Sequence, residues 1–319
     1  METAVAQKPI KKRASLKKVI LIILAALLML TLLAFSLIPP LIMHDMIKLH
    51  ADVEVYSAQE YGVTATPLSL ETEDGFSLAA WEVAAEAPKG VVVLVSGIHN
   101  PSVTAFFSYA KMLRDNGYAS VLVEMRAHGD SEGDKICLGM YEYLDVKAGV
   151  AYIKEQPAYK GLPVIAWGTS MGGATVINAI GEIPEIDGVI SCSAYSSWPD
   201  EFCDMMAGMG APAFLAAIQE PFVWGYSGIE YGFDKLKINP LDEIQKLNGR
   251  PALLMHSTGD SQVPYANFER LMAKAPDTVE TFVREGDEHF ICYDQYSNNP
   301  SDDTEFSGAV LGFLKKHFG

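Results

Sequence analysis

One serine stands at the centre of a glycine-flanked turn. The segment Gly168 to Gly172 reads Gly-Thr-Ser-Met-Gly; it follows the apolar run Leu162 to Trp167 and precedes a helix-like stretch, Ala174 to Ile180. A strand, a sharp turn and a helix with serine at the apex expose the hydroxyl for nucleophilic attack. Glycine is needed on both sides because side chains there would collide with the adjoining strand and helix. We therefore predict that Ser170 is a nucleophile.

Two further strand-like runs lead to the residues that a serine nucleophile needs. The run Pro251 to His256 leads to Asp260, and the run Thr278 to Val283 leads to His289. The carboxyl ends of parallel strands share one edge of a sheet, so these side chains are expected near the serine. This order predicts that His289 accepts the proton of Ser170. Asp260 would hold the histidine in one tautomer and stabilise the imidazolium.

Other carboxylates compete for the acid position. Glu124 ends an earlier strand, and Asp287 and Glu288 lie beside the histidine. Immediate chain neighbours are poorly placed to reach the imidazole ring, so Asp260 is favoured. The alternative interpretation is that Asp260 caps the following helix and that His289 is an ordinary loop histidine.

Acyl transfer by a serine also needs donors for the oxyanion of the tetrahedral intermediate. One predicted donor is the N–H of Met171, because the first amides of a helix have no intrahelical acceptor. The apolar run Val91 to Val95 has the continuous pattern of a buried parallel strand. The loop after it supplies the second predicted donor, the N–H of Ile98. Loss of one such donor typically costs about 3 kcal/mol in the transition state.

With these parts in place, the chain resembles the α/β-hydrolase superfamily. It is most similar to the bacterial branch near monoglyceride lipases and serine aminopeptidases, from about Ala65 to the C-terminus. Besides the serine turn, the matching segments are Glu73 to Gly75, Arg126 to Gly133, Asn239 to Leu241 and His256 to Pro264. The resemblance implies a serine hydrolase in which the Arg126 to Gly133 segment, here named the Arg126 loop, braces the floor of the active site.

Two positions depart from the pattern of these relatives. Ser96-Gly97 stands where relatives usually have His-Gly, and Thr169 stands where histidine or an aromatic residue is frequent. The oxyanion donor is a backbone group, so the first change alters the support of the loop and leaves the donor in place. The second alters the pocket wall.

Strand-like runs alternate with helical patterns, which predicts an α/β fold, a mainly parallel sheet with helices on both faces. The strand-like runs are Thr66 to Leu70, Phe76 to Val83, Val91 to Val95, Ala119 to Val123, Val164 to Trp167, Val189 to Cys192, Leu253 to His256 and Thr278 to Val283. The helical patterns are Ser102 to Asn116, Tyr141 to Glu155, Ala174 to Ile180, Tyr265 to Lys274 and Thr304 to Phe318.

The alternation stops at about residues 195–250, where we predict a short cap insertion. This segment is rich in aromatic residues and methionine. Such residues could line an acyl pocket, with methionines adapting to different chains. The alternative is that most of them attach short helices to the sheet.

The N-terminus reads as a membrane anchor. An uncharged stretch from Val19 to Ile38 is about 30 Å long as a helix, the hydrocarbon thickness of a bilayer. Pro39-Pro40 is predicted to end that helix. The basic residues before it predict a cytoplasmic tail and a domain outside the membrane; they are Lys8, Lys11, Lys12, Arg13, Lys17 and Lys18. A cleaved signal peptide is the rival, with Ala34 and Ser36 as a weak cleavage signal.

The expected domain order is a basic tail at 1–18, a transmembrane anchor at 19–38, a connector at 39–62 and a hydrolase domain at 63–319. Six of the 24 basic residues and one of the 40 acidic residues precede Asp45, which leaves 18 basic and 39 acidic residues from Asp45 onward. So acidic a domain is repelled by nucleic acid and by anionic headgroups, and the anchor is the expected membrane contact.

No cofactor or metal is expected, since no nucleotide-binding loop, EF-hand or H-E-x-x-H motif occurs. The four cysteines fit neither a disulfide framework nor a zinc pattern and are expected to be packed free thiols, with one bridge as the alternative; they are Cys137, Cys192, Cys203 and Cys292.

The sequence therefore predicts a membrane-anchored serine hydrolase that cleaves a small-molecule or lipid acyl ester through an acyl-enzyme. A peptidase or amidase and an acyltransferase are the enzymatic alternatives with the same residues. A non-catalytic binding or scaffold protein on the same fold is the alternative of another class.

Overall fold

The computed structural model describes residues 15–319, so the predicted tail residues Lys8, Lys11, Lys12 and Arg13 lie outside the described residues. One sheet of eight strands has the order β1-β2-β4-β3-β5-β6-β7-β8. The strands are β1 (Thr66–Glu71), β2 (Ser77–Val83), β3 (Gly90–Val95), β4 (Tyr118–Val123), β5 (Val164–Thr169), β6 (Gly188–Cys192), β7 (Ala252–Ser257) and β8 (Glu280–Arg284). Strand β2 is antiparallel to β1 and β4, and the other neighbours are parallel. The predicted fold class is confirmed.

Nine α-helices lie within residues 15–319. They are α1 (Leu16–Ile47), α2 (Phe107–Asp115), α3 (Tyr143–Glu155), α4 (Met171–Glu182), α5 (Trp198–Gly208), α6 (Ala213–Tyr231), α7 (Pro240–Glu243), α8 (Ala266–Met272) and α9 (Thr304–Phe318). Helices α2 and α9 cover one face of the sheet, and α3, α4 and α8 cover the other. Between β6 and β7, at the predicted cap insertion, lie α5, α6 and α7.

Strand β3 shows why the sheet reads as continuous apolar runs. All six of its residues are buried, and Val91, Val93 and Val95 face one core while Val92 and Leu94 face the other. After β3 the chain adds β4 on one side and then β5 on the other. The loops that follow β3 and β5 therefore diverge around a crevice, the position at which open α/β sheets bind ligands.

Helix α1 is longer than predicted. It continues through Pro39 and Pro40 to Ile47, and the prediction that the prolines end it is wrong. Each proline removes a helical hydrogen bond and crowds the preceding turn, a cost of about 3 kcal/mol in an ordinary helix interior. Packing after the prolines offsets that cost, since Met43 and Ile47 are both 0% exposed in the main core. These tertiary contacts therefore outweigh the low helix propensity of the two prolines.

Met43 connects α1 to the cap region, and its truncation is expected to destabilise the domain. Its sulfur lies 3.3 Å from Nε1 of Trp198, the first residue of α5. Met43→Ala should lower the free energy of unfolding by about 2–5 kcal/mol, because a buried side chain would leave a cavity. Met29→Ala is the matched control; Met29 is exposed on α1, so its change should stay within about 0.5 kcal/mol.

Thermal unfolding of the full chain in detergent would measure both variants. Equal transition temperatures for Met43→Ala and the wild type would show that the end of α1 is not part of the domain core.

Candidate active site

Ser170 occupies a strained turn between β5 and α4. Strand β5 ends at Thr169, helix α4 begins at Met171, and Ser170 between them has φ 59° and ψ −125°. A Cβ atom on Gly168 would lie 2.1 Å from the carbonyl oxygen of Gly172. A Cβ atom on Gly172 would lie 2.2 Å from the carbonyl oxygen of Ser96. The turn therefore requires both glycines, and the half-buried serine is held out at its apex.

The end of β6 joins the serine turn to the histidine loop. The N–H of Ser170 donates to the carbonyl of Cys192 over 2.9 Å. The next residue, Ser193, donates its hydroxyl to the carbonyl of His289 over 2.7 Å. Ser170 and His289 are therefore hydrogen-bonded to neighbouring residues at the end of β6.

Asp260 and His289 form a buried pair. Nδ1 of His289 lies 2.8 Å and 3.0 Å from the two carboxylate oxygens of Asp260. The amides of Gln262 and Val263 donate to Oδ1 of Asp260 over 2.9 and 3.0 Å. Burial opposes ionisation, yet the histidine and these two amides hold the pKa of Asp260 below its ordinary value. The aspartate is therefore ionised at neutral pH and binds Nδ1–H, which leaves Nε2 to accept a proton.

No hydrogen bond joins the Ser170 hydroxyl to His289 in the part of the chain that the structure describes. Such bonds are often long before substrate binds and shorten in the complex. The proton transfer from Ser170 to His289 stays a prediction.

The rival carboxylates have other partners. Glu124 accepts hydrogen bonds from the Ser102 hydroxyl and, at 3.3 Å, from the amide of Val103, and burial raises its pKa to about 7. Oδ1 of Asp287 accepts from the amide of Ser261 over 2.7 Å. For Glu288 the contact is through its backbone carbonyl, which accepts from the Ser257 hydroxyl. Among residues 15–319, only Asp260 binds the His289 side chain.

His256 is a second histidine beside the acid, and its place in the sequence had not indicated a role. Its Nε2 donates to the carbonyl of Val263 over 2.8 Å and lies 3.7 Å from Oδ2 of Asp260. Burial lowers the pKa of His256 and favours the neutral ring. The ring therefore shapes the loop that presents Asp260. Its position at the end of β7, four residues before the acid, was the available signal.

The two predicted oxyanion donors line the same cavity as Ser170. Met171 is the first residue of α4, and Ile98 follows β3. Within residues 15–319 the N–H of Ile98 has no hydrogen-bond acceptor, and the first amide of a helix has none inside the helix. Both amides are available to a ligand oxygen at this position.

The Arg126 loop supports the loop that carries Ile98. Arg126 is buried between Asp74 and Asp145, with nitrogen to oxygen distances of 2.6 Å to each carboxylate. His128 donates from Nδ1 to the carbonyl of Arg126 and accepts at Nε2 from the amide of His99 over 3.1 Å. Burial lowers the pKa of His128 to about 4, so the ring stays neutral and keeps its acceptor. This contact supplies support for a loop that has Ser96 in place of the usual histidine.

Residues at the end of α1 and just after it also form hydrogen bonds with the Arg126 loop and with the loop that carries Ile98. Nε2 of His99 donates to the carbonyl of Met46 over 2.7 Å. Just after α1, the ring nitrogens of His50 lie 2.8 Å from the carbonyl of Gly133 and 2.6 Å from that of Gly129. Those two acceptors raise the pKa of His50, because only the imidazolium donates from both nitrogens. Sequence reasoning missed these contacts, since it ended α1 at Pro39.

A cavity of about 630 Å³ begins at Ser170 and is walled mainly by apolar side chains. Its walls come from three parts of the chain: the end of α1, the cap region, and the loop that follows Asp260. The residues that form them include Met46, Tyr195, Trp198, Met205, Met209, Val263 and Pro264. A second cavity of about 320 Å³ shares Leu138, Tyr195 and Trp198 with the first and is not lined by Ser170.

The four cysteines are free thiols, as expected.

Comparisons with known proteins agree with this architecture. The family model described as serine aminopeptidase, S33, matches residues 86–223, a range that contains Ser170 but neither Asp260 nor His289. The chain is similar to protein YqkD of Bacillus subtilis, 23% identical over 278 residues that cover 82% of this chain and 88% of that protein.

Two solved structures illustrate the range of similar enzymes. The esterase Pf2001 of Pyrococcus furiosus has a TM-score of 0.66 and 23% identity, over 86% of this chain and 99% of its own. The acylaminoacyl peptidase of Pyrococcus horikoshii has a TM-score of 0.60 and 16% identity, over 80% of this chain and 42% of its own.

Proposed function

We propose that this chain, which has the fold of α/β-hydrolases, is a membrane-anchored serine hydrolase that cleaves carboxylic esters through an acyl-enzyme. The observation that carries the proposal is the connected arrangement of three side chains. Ser170 stands at a strained turn, a strand end ties it to His289, and His289 binds the ionised Asp260.

These residues suit a two-step acyl transfer. Ser170 Oγ attacks the ester carbon while His289 Nε2 takes the hydroxyl proton, and the amides of Ile98 and Met171 hold the oxyanion. The protonated histidine then gives that proton to the leaving alcohol as the carbon–oxygen bond breaks. Water repeats the sequence on the acyl-enzyme, and a carboxylic acid and free serine result. Asp260 remains ionised and stabilises the imidazolium throughout.

The cavity supports an ester with an apolar acyl group. Its walls carry methionine and aromatic side chains, which accommodate acyl chains of different shapes. Similarity to a protein named an esterase favours esters, and similarity to one named an acylaminoacyl peptidase keeps amide cleavage as the alternative. An acyltransferase would use the same acyl-enzyme with an acceptor other than water.

Helix α1 supports the membrane attachment. Within the described residues it is the one helix long and apolar enough to cross a bilayer. Its side chains from Val19 to Leu37 are almost all exposed at the surface of the protein. Phe35 stacks on Phe222 of α6, with ring centroids 6.0 Å apart. That contact favours a retained anchor over a cleaved signal peptide, and the basic flank supports a hydrolase domain outside the cytoplasm.

A fluorophosphonate probe on the full-length chain in detergent would test this function. We expect a covalent adduct that mass spectrometry places on Ser170. A short p-nitrophenyl ester should compete with labelling more strongly than the matching p-nitroanilide. A folded chain that takes no label would favour the scaffold alternative, and stronger competition by the anilide would favour an amidase.

A further inference from the structure

The hairpin of α5 and α6 ends in a surface that is unusual for a water-exposed cap. Residues 207–219, here named the apolar tip, contain no charged side chain. Met209 is 83% exposed, Phe214 is 67% exposed and Ile218 is 42% exposed. A group of large exposed apolar side chains at one tip is typical of a site of interaction with protein or membrane.

The position of α6 decides between those partners. Helix α6 packs along α1. Phe222 of α6 stacks on Phe35, and further along both helices Glu230 pairs with Lys48 over 2.8 Å. The two helices therefore run in the same direction. The apolar tip precedes Phe222 and points back along α1, toward the exposed apolar stretch that is long enough to cross a bilayer.

The polarity of α6 changes in steps along its length. The tip is uncharged from Ala213 to Gln219, the exposed Glu220 follows it, and aromatic residues stand at Phe222 and Trp224. Charge clusters at the far end, where Glu230 pairs with Lys48 and with Lys135 over 3.1 Å. Apart from Glu220, the order along α6 is apolar residues, then aromatic rings, then ion pairs, which is the order met on passing from hydrocarbon through the interface to water.

The start of the tip also lines the candidate active-site cavity. Gly208 and Met209 line the cavity together with Ser170 and with Met46 of α1. The mainly apolar wall of the cavity thus extends from the serine to the start of the tip and to the end of α1. From Ala213 to Glu220, the first charged residue after the tip, is about 10 Å along a helix, which matches the depth of interfacial helices.

We propose that the apolar tip enters the outer leaflet beside α1, and that acyl esters resident in that leaflet reach Ser170 through the cavity without crossing water. This proposal rests on the proposed function for its second part. The partner of the tip is the acyl region of the bilayer, because the tip is continuous with the lipid-facing surface of α1.

Depth-dependent quenching tests the membrane contact without any turnover. The full-length chain with Cys203→Ala carries a single new thiol at Phe214→Cys, labelled with the dye NBD and reconstituted in nanodiscs; the other three cysteines are buried. Val283→Cys is the matched control, an exposed apolar position on the edge strand β8. The probe at 214 should emit at shorter wavelength than the probe at 283 because it lies in an apolar environment, and lipids with a doxyl group near the headgroup should quench the probe at 214 and leave the probe at 283 unchanged.

Two results would overturn the contact. Equal quenching at the two positions would place the tip in water. A blue shift at 214 without quenching would show that a second copy of the chain covers it.

Turnover tests the route of the substrate. In the same nanodiscs, Phe214→Asp should slow hydrolysis of a long-chain acyl ester in the bilayer by about tenfold or more, because a carboxylate resists insertion. Hydrolysis of water-soluble p-nitrophenyl acetate should be unchanged, and Val283→Asp should alter neither rate. An equal loss on both esters would contradict the route. A wild type that cleaves neither ester would contradict the proposed function, and the quenching result would still decide the membrane contact.

Discussion

Ser170→Ala is expected to reduce ester turnover by about a millionfold, the scale on which loss of a serine nucleophile acts in a comparable triad. The reason is chemical: without Oγ no acyl-enzyme can form, although the Ile98 and Met171 amides and the His289–Asp260 pair remain. Release of p-nitrophenol by the full-length chain in detergent measures the effect.

The same substitution should leave stability almost unchanged. Within residues 15–319 the Ser170 side chain makes no hydrogen bond, and alanine keeps the Cβ atom in the same turn. The free energy of unfolding should therefore change by less than about 0.5 kcal/mol. Ser301→Ala, at an exposed serine, is the matched control and should retain full turnover. Substantial turnover by Ser170→Ala would remove this serine from the mechanism.

Asp260→Asn should lower kcat by about ten-thousandfold, the loss known for the same change in a serine triad. Oδ1 of Asp260 accepts from the amides of Gln262 and Val263, so an asparagine would keep its oxygen there. Its NH₂ group would then face Nδ1 of His289 and hold the ring in the tautomer that has no proton acceptor at Nε2. The imidazolium would also lose its negative partner.

Asp287→Asn is the matched control for that experiment. Asp287 lies on the same loop as the histidine but accepts from the amide of Ser261, so kcat should change by less than about tenfold. Both rates are measured at one pH near 7 with one soluble ester. If the two variants lose equal activity, the assignment of Asp260 as the orienting acid is wrong.

The pH dependence of stability gives a further readout on Asp260. Its pKa in the folded chain lies below the ordinary value of 3.8. The stability that it contributes is therefore present above that pH and is lost as the pH falls through the lower folded value. Asp260→Asn should consequently unfold at a lower temperature than the wild type at pH 7, and this difference should shrink in acid.

The strands and the mainly parallel character of the sheet could be predicted because their signals are local. Strands such as β3 and β5 are buried on both faces, so they must be continuous apolar runs, and the turn at Ser170 needs glycines that cannot be replaced. Parallel strands end at one edge, which brings residues that follow them together despite their distance along the chain. For that reason the sequence alone led to the pairing of Asp260 with His289, which the structure contains.

Only the tertiary structure determined that α1 continues past Pro39. A proline pair predicts a helix end, but burial of Met43 and Ile47 against the core carries α1 onward, and no local pattern reports that burial. The link from His99 to His128, and the alignment of the apolar tip with α1, likewise join segments far apart in the chain. Residue order determined the chemistry available at the sheet edge. The packing of distant helices determined how that edge is supported and where its cavity opens, because the free energy of those contacts exceeds the local preference of any one segment.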